Sequence, residues 1–180
     1  MQPWMVKRSR TLLERRWLRV REEHVVLPTG VEIEEFHLID GSDWAATLAL
    51  TDDRRVVLVE QYRHGLGAVS RELPAGVIDP GEEARGAAER ELLEETGMAA
   101  GAWEPLYVTH TEPSRHTNRA HFFLARGARA VARPRPESTE SLRVVLVPVE
   151  EVLAGLGGGL VTHGLHVAAL LLAERAGALR

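Results

Sequence analysis

A glutamate-rich stretch near the middle of this chain carries its own signals for where a helix begins and ends. Asp79 can serve as the N-cap with Pro80 at the first helical position, and Glu82 stands three residues after the cap, which is the spacing of a capping box. At the other end, Gly97 stands where a left-handed residue commonly closes a helix. The stretch therefore predicts a helix over residues 80–96.

This helix would turn acidic side chains toward the side that a globular protein normally buries. At about 100° per residue, Glu91 and Glu95 fall on the same face as several alanines, with Glu94 at its edge. Ionised carboxylates packed inward are costly unless something positive compensates them. Because the chain has no cysteine and the helix no histidine, an all-oxygen site for Mg²⁺ or Mn²⁺ fits better than a zinc site.

Two interpretations of the acidic helix stay open on periodicity alone. In the first, Glu91, Glu94 and Glu95 are metal ligands, and the carbonyl of Ala75, in the loop before the helix, is a fourth donor. In the second, the helix is an ordinary solvated one whose glutamates pair with arginines along its surface. The two differ in whether Glu91 and Glu95 point inward.

The spacing of residues in this stretch resembles a known signature. Counting from Gly76, five residues lead to Glu82, seven more lead to Arg90-Glu91-Leu92, and Glu94-Glu95 and Gly97 follow. The pattern is similar to the signature of the Nudix hydrolases, with every fixed position occupied. This resemblance implies an α/β fold, the Nudix α/β/α sandwich, with a mixed β-sheet and an N-terminal β-hairpin or sheet extension.

The resemblance also implies roles for individual residues of the helix. Glu91 and Glu95 are expected to be direct metal ligands and Glu94 a direct or water-mediated one. Arg90 is expected to orient these glutamates, and Glu82 to serve the start of the helix.

Residues ahead of the signature resemble those of one branch of the family, the ADP-ribose and nucleoside-diphosphate-sugar pyrophosphatases. The matching elements are Gln61-Tyr62-Arg63 and the run from Arg71 to Gly76. Arg63 and Arg71 carry planar guanidinium groups that can hold phosphate or ribose oxygens, or can simply neutralise the acidic helix. Glu72 is expected to accept from a ribose hydroxyl or to bind a second ion.

The general base stays open among three residues: Glu94, Glu112 and His116. The last two lie in a polar loop that also contains Arg115, a candidate substrate contact, and begins near Pro113. A proline at this distance from the signature resembles a marker of the ADP-ribose subgroup. The subgroup's acidic residue a few positions later is not found here, since Arg115 and His116 stand in that region instead.

The start of the chain is predicted to be a β-rich extension. Residues 17–27 and 31–38 alternate between apolar and polar side chains around a Pro-Thr-Gly turn, which indicates a hairpin. An isolated hairpin is marginally stable in water, so this one needs a partner surface. We predict an extension over residues 1–43 and a Nudix domain over residues 44–180. By resemblance the extension pairs two copies into a homodimer; the alternative is a hairpin folded back on its own domain.

Apolar runs predict the remaining elements. They indicate strands at residues 44–51, 54–60, 105–111, 119–125 and 143–148, and helices at residues 149–156 and 161–176. The β-branched run from Val56 to Val59 is typical of a strand covered on both faces, so we expect it to be central in the sheet.

Two further groups of residues have a functional and a structural interpretation. Glu137 and Glu140, in a proline-containing connector, can return acidity to the site, but a solvated loop is the favoured interpretation. His163 and His166 stand three apart on the last predicted helix and can bind a metal. With no third ligand nearby in sequence, we interpret them as core or surface histidines.

The composition is that of an ordinary globular protein, with 44% hydrophobic and 27% charged residues. A net charge of −4 gives no electrostatic footprint for nucleic acid, and no apolar run reaches the length of a membrane span. The absence of cysteine is consistent with a reducing cytoplasm. We therefore expect a cytoplasmic protein with neither nucleic acid nor membrane as a partner.

The expected activity is Mg²⁺-dependent hydrolysis of the pyrophosphate bond of ADP-ribose or a related nucleoside diphosphate sugar, giving a nucleoside monophosphate and a sugar phosphate. Bridging cations make the binding of a pyrophosphate to an acidic site favourable and can acidify a bound water. One alternative is a Nudix hydrolase for a dinucleoside polyphosphate, a dinucleotide cofactor or an oxidised nucleotide. Another is a non-catalytic ADP-ribose sensor, which is expected to have lost a metal glutamate.

Overall fold

The structure is a computed structural model that describes residues 2–16 and 18–179. They divide into two compact units: Met1–Asp43 with His110–Arg119, and Trp44–Thr109 with Ala120–Arg180. The elements in chain order are β1 (Met5–Arg15), β2 (Leu18–Val26), β3 (Glu32–Asp40), β4 (Trp44–Leu50), β5 (Arg55–Arg63), β6 (Ala68–Glu72), β7 (Ala75–Val77), α1 (Ala84–Thr96), β8 (Met98–Ala99), β9 (Ala102–His110), β10 (Arg119–Arg126), β11 (Arg129–Ala130), β12 (Leu142–Pro148), α2 (Val149–Gly155) and α3 (Gly164–Arg175). No helix in these ranges is long and apolar enough to cross a membrane.

The N-terminal unit is built on an antiparallel sheet in the order β1-β2-β3. The predicted hairpin is confirmed as β2 and β3, although its proposed start at Trp17 lies outside the described residues. Strand β1 was not expected from the sequence. Register shifts interrupt its pairing with β2 between Val6 and Arg8 and between Thr11 and Leu13, and such irregularities break the alternation on which a strand prediction depends.

The second unit contains a mixed sheet in the order β12-β5-β4-β10-β9, with β6 paired to β5 and β7 to β4. Strand β10 runs parallel to β4, whereas β12 and β6 run antiparallel to β5. The run from Val56 to Val59 is fully buried in the interior of this sheet, as predicted.

Alternate residues of β5 pack against different helices. Val57 shares a cluster with Leu92 of α1, whereas Leu58 shares another with Leu170 of α3. Because successive side chains of a strand point to opposite faces, α1 and α3 lie on opposite sides of the sheet. The expected α/β/α arrangement is therefore confirmed.

The acidic helix begins later than predicted. Its first residue is Ala84 rather than Pro80, and its N-cap is Glu83, which makes no side-chain capping bond. The predicted cap at Asp79 is wrong because this residue opens a turn instead: the Glu82 N–H donates to the Asp79 carbonyl at 2.9 Å, and the Glu82 carboxylate accepts from the Asp79 N–H at 3.1 Å. Gly81 has a φ of 84°, a conformation that a right-handed helix does not admit.

The end of the helix agrees with the sequence-based prediction. Gly97 adopts the left-handed conformation with a φ of 69°, and its N–H donates to the carbonyl of Leu93 at 2.8 Å. This is the αL type of helix end. The other predicted strands and helices agree to within a few residues, except that the short strands β6, β7, β8 and β11 were not anticipated.

Candidate active site

Glu95 is the most deeply buried carboxylate of α1, with 1% of its surface exposed. Its Oε2 accepts a hydrogen bond from the N–H of Ala75 at 3.0 Å. Burial raises the pKa of Glu95 to about 8, and the charges of Glu91 and Glu140 act in the same direction, while the Ala75 N–H and the charge of Arg63 oppose the rise. The expectation that this side chain points inward is confirmed.

Glu91 lies one turn before Glu95 and is also buried, with 9% of its surface exposed. Burial raises its pKa, although the hydrogen bond from Arg90 acts to lower it. Gly76 leaves the room that this carboxylate occupies: a β-carbon at position 76 would overlap the Glu91 carboxyl group. Any other residue at position 76 would therefore displace Glu91.

Arg90 holds the acidic residues in place. Its Nη1 donates to Glu91 Oε1 at 2.7 Å and to Glu94 Oε2 at 3.1 Å. Its Nε and Nη2 donate to the two oxygens of Glu82, each at 3.0 Å, and Nη2 also donates to the carbonyl of Val77 at 2.9 Å. These bonds raise its pKa far above the usual range. The role expected from the sequence, orienting the glutamates, stays a prediction.

Hydrogen bonds to other elements hold the loop from Glu72 to Ala75 in position. Glu72 is 3% exposed and accepts a bidentate pair of hydrogen bonds from Arg63, at 3.0 and 2.6 Å. Burial alone would raise the pKa of Glu72, but the bonds and charge of Arg63 outweigh it, so the pKa is lowered. The carbonyl of Pro74 accepts from the N–H of Thr47 at 2.9 Å, and Ala75 donates to α1 as described.

The donor atoms at this site fit a hard divalent cation. Arg63 pairs with Glu72, and Arg90 is hydrogen-bonded to three glutamates, Glu82, Glu91 and Glu94. The described residues of the site therefore carry an excess of negative charge on oxygen atoms. Mg²⁺ and Mn²⁺ prefer such ligands. Within the described ranges, no group of three or more His, Cys, Asp or Glu side chains is arranged so that it could hold a metal ion. The assignment of Glu91, Glu94, Glu95 and the Ala75 carbonyl as ligands therefore stays a prediction.

Arg71 forms an ion pair with a glutamate. Its Nε donates at 2.6 Å to Glu60, a buried residue that also accepts from Arg143 Nε at 2.9 Å. These bonds lower the pKa of Glu60, and the bond from Arg143 has the larger effect. A role for Arg71 in substrate contact, like that of Arg63, stays a prediction.

Glu112, Arg115 and His116 belong to the N-terminal unit. Their loop is attached to β3, because the Ile39 N–H donates to the carbonyl of Arg115 at 2.9 Å. The Glu112 carboxylate accepts from the hydroxyl and the N–H of Ser114, and the hydroxyl bond is the main reason that its pKa is lowered. The roles of these residues as base or substrate contact stay predictions.

Glu140 lies in the connector between β11 and β12. This connector follows the end of α1, where the N–H of Arg135 donates to the carbonyl of Glu94 at 2.7 Å. The charge of Glu140 contributes to raising the pKa of Glu91 and Glu95. Its side chain is partly exposed, and its carboxylate accepts from the N–H of Glu137 at 2.9 Å. The interpretation of a solvated loop and the alternative that Glu140 returns acidity to the site both stay predictions.

Comparisons with known proteins agree with this description. Residues 42–161 match the family model described as the NUDIX domain, and residues 4–39 match the one described as the nucleoside diphosphate sugar hydrolase N-terminal domain. The chain is 30% identical over 154 residues to an ADP-ribose pyrophosphatase of Mycobacterium tuberculosis. The aligned region covers 84% of this chain and 74% of that protein.

Two more similarities extend this result. An ADP-ribose pyrophosphatase of Bacillus subtilis is 32% identical over 132 residues, covering 73% of this chain and 71% of that protein. A crystal structure of an ADP compounds hydrolase superimposes with a TM-score of 0.86 at 22% identity, covering 97% of this chain and 94% of the other. The structural similarity demonstrates a shared fold.

Proposed function

This chain belongs to the NUDIX family, and we propose that it hydrolyses the pyrophosphate bond of ADP-ribose or a related nucleoside diphosphate sugar with the help of Mg²⁺. The observation that carries the proposal is the pair of buried carboxylates, Glu91 and Glu95, in a helix that forms part of the stretch resembling the family signature within the matched residues 42–161. The family match over residues 4–39 and the two ADP-ribose pyrophosphatases among the relatives support the substrate class.

In the proposed reaction a water oxygen attacks one phosphorus of the diphosphate. The bond from that phosphorus to the bridging oxygen breaks, and the bridging oxygen leaves with the other phosphate. ADP-ribose thus gives AMP and ribose 5-phosphate, and the proton lost by the attacking water goes to a general base. A divalent cation, which Nudix hydrolases generally use, supplies positive charge to the diphosphate oxygens and acidifies water when bound.

The residues of this chain have separate tasks in the proposal. Glu91 and Glu95, with Glu94 and the carbonyl of Ala75, hold the cation. Arg90 keeps three of the glutamates oriented through the bonds described above. Arg63 and Arg71 meet phosphate or ribose oxygens, for which a planar guanidinium is well suited, and Glu72 accepts from a ribose hydroxyl. Arg115 is a further substrate contact.

The general base is one of the three residues that the sequence supplied: Glu94, Glu112 and His116. Single exchanges to Gln, with kcat followed against pH, separate the three. The base is the residue whose loss lowers kcat by about a hundredfold or more and flattens the acidic limb of the profile while the Tm is retained.

We further propose a homodimer formed through an N-terminal extension of residues 1–43, next to a Nudix domain of residues 44–180. Support comes from β1, an edge strand that leaves large apolar side chains exposed, among them Met5, Val6 and Leu12. Exposed apolar patches commonly mark interfaces.

A nucleotide-sugar substrate also supports a cytoplasmic location.

A substrate panel with Mg²⁺ tests the proposed function directly. ADP-ribose and nucleoside diphosphate sugars are compared with dinucleoside polyphosphates, dinucleotide cofactors and oxidised nucleotides, and products are separated by ion-exchange chromatography. We expect kcat/KM for the first group to be at least about tenfold higher, or about 1.4 kcal/mol in transition-state stabilisation. Preference for another group would contradict the substrate class, and binding of ADP-ribose without turnover would indicate a sensor.

A further inference from the structure

A histidine from the last helix reaches the loop that carries the active-site residues. The N–H of Leu73 donates to Nδ1 of His166 at 3.1 Å. Both residues are 1% exposed, so the bond lies out of water, where an unpaired N–H is costly. The two residues stand 93 positions apart in the chain, and the bond joins α3 to the loop between β6 and β7.

The ring of His166 is held in one orientation and one protonation state. It stacks on His163 with ring centroids 4.1 Å apart and 20° between the planes, and Phe122 and Trp44 contact it with centroids at 5.8 Å. Because Nδ1 accepts a hydrogen bond, it carries the lone pair and the proton is on Nε2. Burial lowers the pKa of His166 to about 3, which keeps the ring neutral near pH 7.

The same geometry excludes a metal site at these histidines. The lone pairs of two imidazoles lie in their ring planes, and the planes of His163 and His166 are nearly parallel. Their nitrogens therefore do not converge on one ion. The interpretation of His166 as a core histidine is confirmed. Its Nε2 is buried and has no hydrogen-bond partner among the described residues, whereas its Nδ1 faces the loop and accepts from Leu73.

We propose that His166 is a positioning residue for the active-site loop, an inference that rests on the proposed function. Leu73 lies directly between Glu72, which binds Arg63, and the segment of Ala75, whose N–H binds Glu95. The Leu73 N–H belongs to the peptide group that joins Glu72 to Leu73. Holding this N–H in place therefore restrains the connection between Glu72 and Ala75. His166 thus sets the position of the Ala75 carbonyl relative to Glu95 without touching the substrate or the ion.

Loss of the acceptor has a definite consequence. Without it, the Leu73 N–H turns away to find another partner, and the loop moves with it. A shift of about 1 Å in a reacting group can cost about a hundredfold in rate. The effect therefore appears in kcat and in the Mg²⁺ concentration for half-maximal activity.

The test compares two exchanges of the same residue. In His166→Asn the side-chain oxygen stands near the position of Nδ1 and can accept the bond, whereas His166→Leu fills the space without an acceptor. We expect His166→Leu to lower kcat by about tenfold to a hundredfold and to raise the half-maximal Mg²⁺ concentration. His166→Asn should recover most of both, although leucine is the better helix former. The control is His163→Phe, which keeps the stacking and should retain both values.

Two results would overturn the proposal: a His166→Leu enzyme with unchanged kcat and Mg²⁺ dependence, or a His166→Asn enzyme as impaired as the leucine variant. Should a variant fold poorly, ¹⁵N NMR of the wild-type imidazole decides instead, since a ring protonated on Nδ1 at pH 7 also contradicts it. The rise in Tm caused by Mg²⁺ is measured for each variant as well. The rise in Tm does not depend on catalysis. It therefore tests the role of His166 even if the wild-type protein hydrolyses none of the substrates and the proposed function is refuted.

Discussion

The carboxyl group of Glu95 is held where water barely reaches it, and its pKa is near 8 in consequence. In the unfolded chain a glutamate has a pKa of about 4.3. Between these values the folded protein binds more protons than the unfolded one, so the free energy of unfolding decreases as pH rises through this range when no divalent ion is present. The burial of Glu95 thus lowers the free energy of unfolding near neutral pH.

Replacement of Glu95 by an uncharged amide should separate its effect on stability from its effect on activity. We expect Glu95→Gln to lose most activity and yet to have a higher Tm than the wild type at pH 8 in the presence of a chelator. The advantage should grow by up to about 1.4 kcal/mol per pH unit between pH 5 and 8. Thermal melts followed by circular dichroism check this, with the more exposed Glu94→Gln as the control. Equal slopes for wild type and Glu95→Gln would contradict the burial argument.

Gly76 offers a second test on single residues. In Gly76→Ala the new methyl group would overlap the Glu91 carboxylate. Because the overlapping atoms are the end of a side chain that can turn aside, we expect Glu91 to be displaced and most activity to be lost, with at most about 1 kcal/mol taken from the free energy of unfolding. The control is Gly86→Ala within α1, where the new β-carbon would lie 3.8 Å from the nearest atom, Cγ of Glu82. This exchange should add about 0.5–1 kcal/mol and retain activity. Steady-state kinetics and urea unfolding compare the two, and a Gly76→Ala enzyme as active as Gly86→Ala would refute the predicted displacement.

Helix α1 is held in position by hydrogen bonds to residues outside the helix. Arg90 connects it to the turn at Glu82 and to the carbonyl of Val77 in β7. A lysine is a single point charge and cannot meet these partners and the glutamates at once. The helix end at Gly97 is also held from outside, because the N–H groups of Val131 and Ala132 donate to the Gly97 carbonyl at 2.9 and 3.0 Å.

We therefore expect Arg90→Lys to lower kcat/KM by about 10–100-fold, the usual cost of losing a group that orients metal ligands. The matched control is Arg85→Lys on the same helix, where the arginine forms an exposed ion pair with Glu89, worth about 0.5 kcal/mol or less. Steady-state kinetics with ADP-ribose and Mg²⁺ compare the two. An Arg90→Lys enzyme as active as Arg85→Lys would show that orientation by the guanidinium is dispensable.

The difference between local and distant contacts explains what could be predicted from the sequence. The end of α1, the buried strand β5 and the inward face of the glutamates follow from spacing over a few residues, and all were predicted. The start of α1 was not, because Asp79 and Glu82 make the bonds of a capping box within a turn. Contacts between distant segments, such as the hydrogen bond from Leu73 to His166, have no local signal.

The chain divides into two units, and family models match residues 4–39 and 42–161; the second match also includes His110–Arg119, which belong to the N-terminal unit. The N-terminal sheet leaves β1 almost entirely exposed along an edge. Edge strands with exposed apolar side chains readily pair with other chains, and a second copy of this chain is the partner that we propose.

A charged residue within this edge should therefore change the mass in solution. We expect sedimentation equilibrium to give twice 19.9 kDa for the wild type and the monomer mass for Leu12→Glu. Leu171→Glu, at an exposed apolar position of α3, serves as the control and should remain dimeric. A monomeric wild type would rule out the homodimer.

The loop from Glu72 to Ala75 has a consequence for how the enzyme fails under stress. Its residues are tied in turn to β5, α3, β4 and α1, so it has no way to open by itself while those elements remain folded. Its amide hydrogens should exchange with solvent only through global unfolding. Inactivation in denaturant should accordingly coincide with loss of the fold, leaving no folded but inactive species.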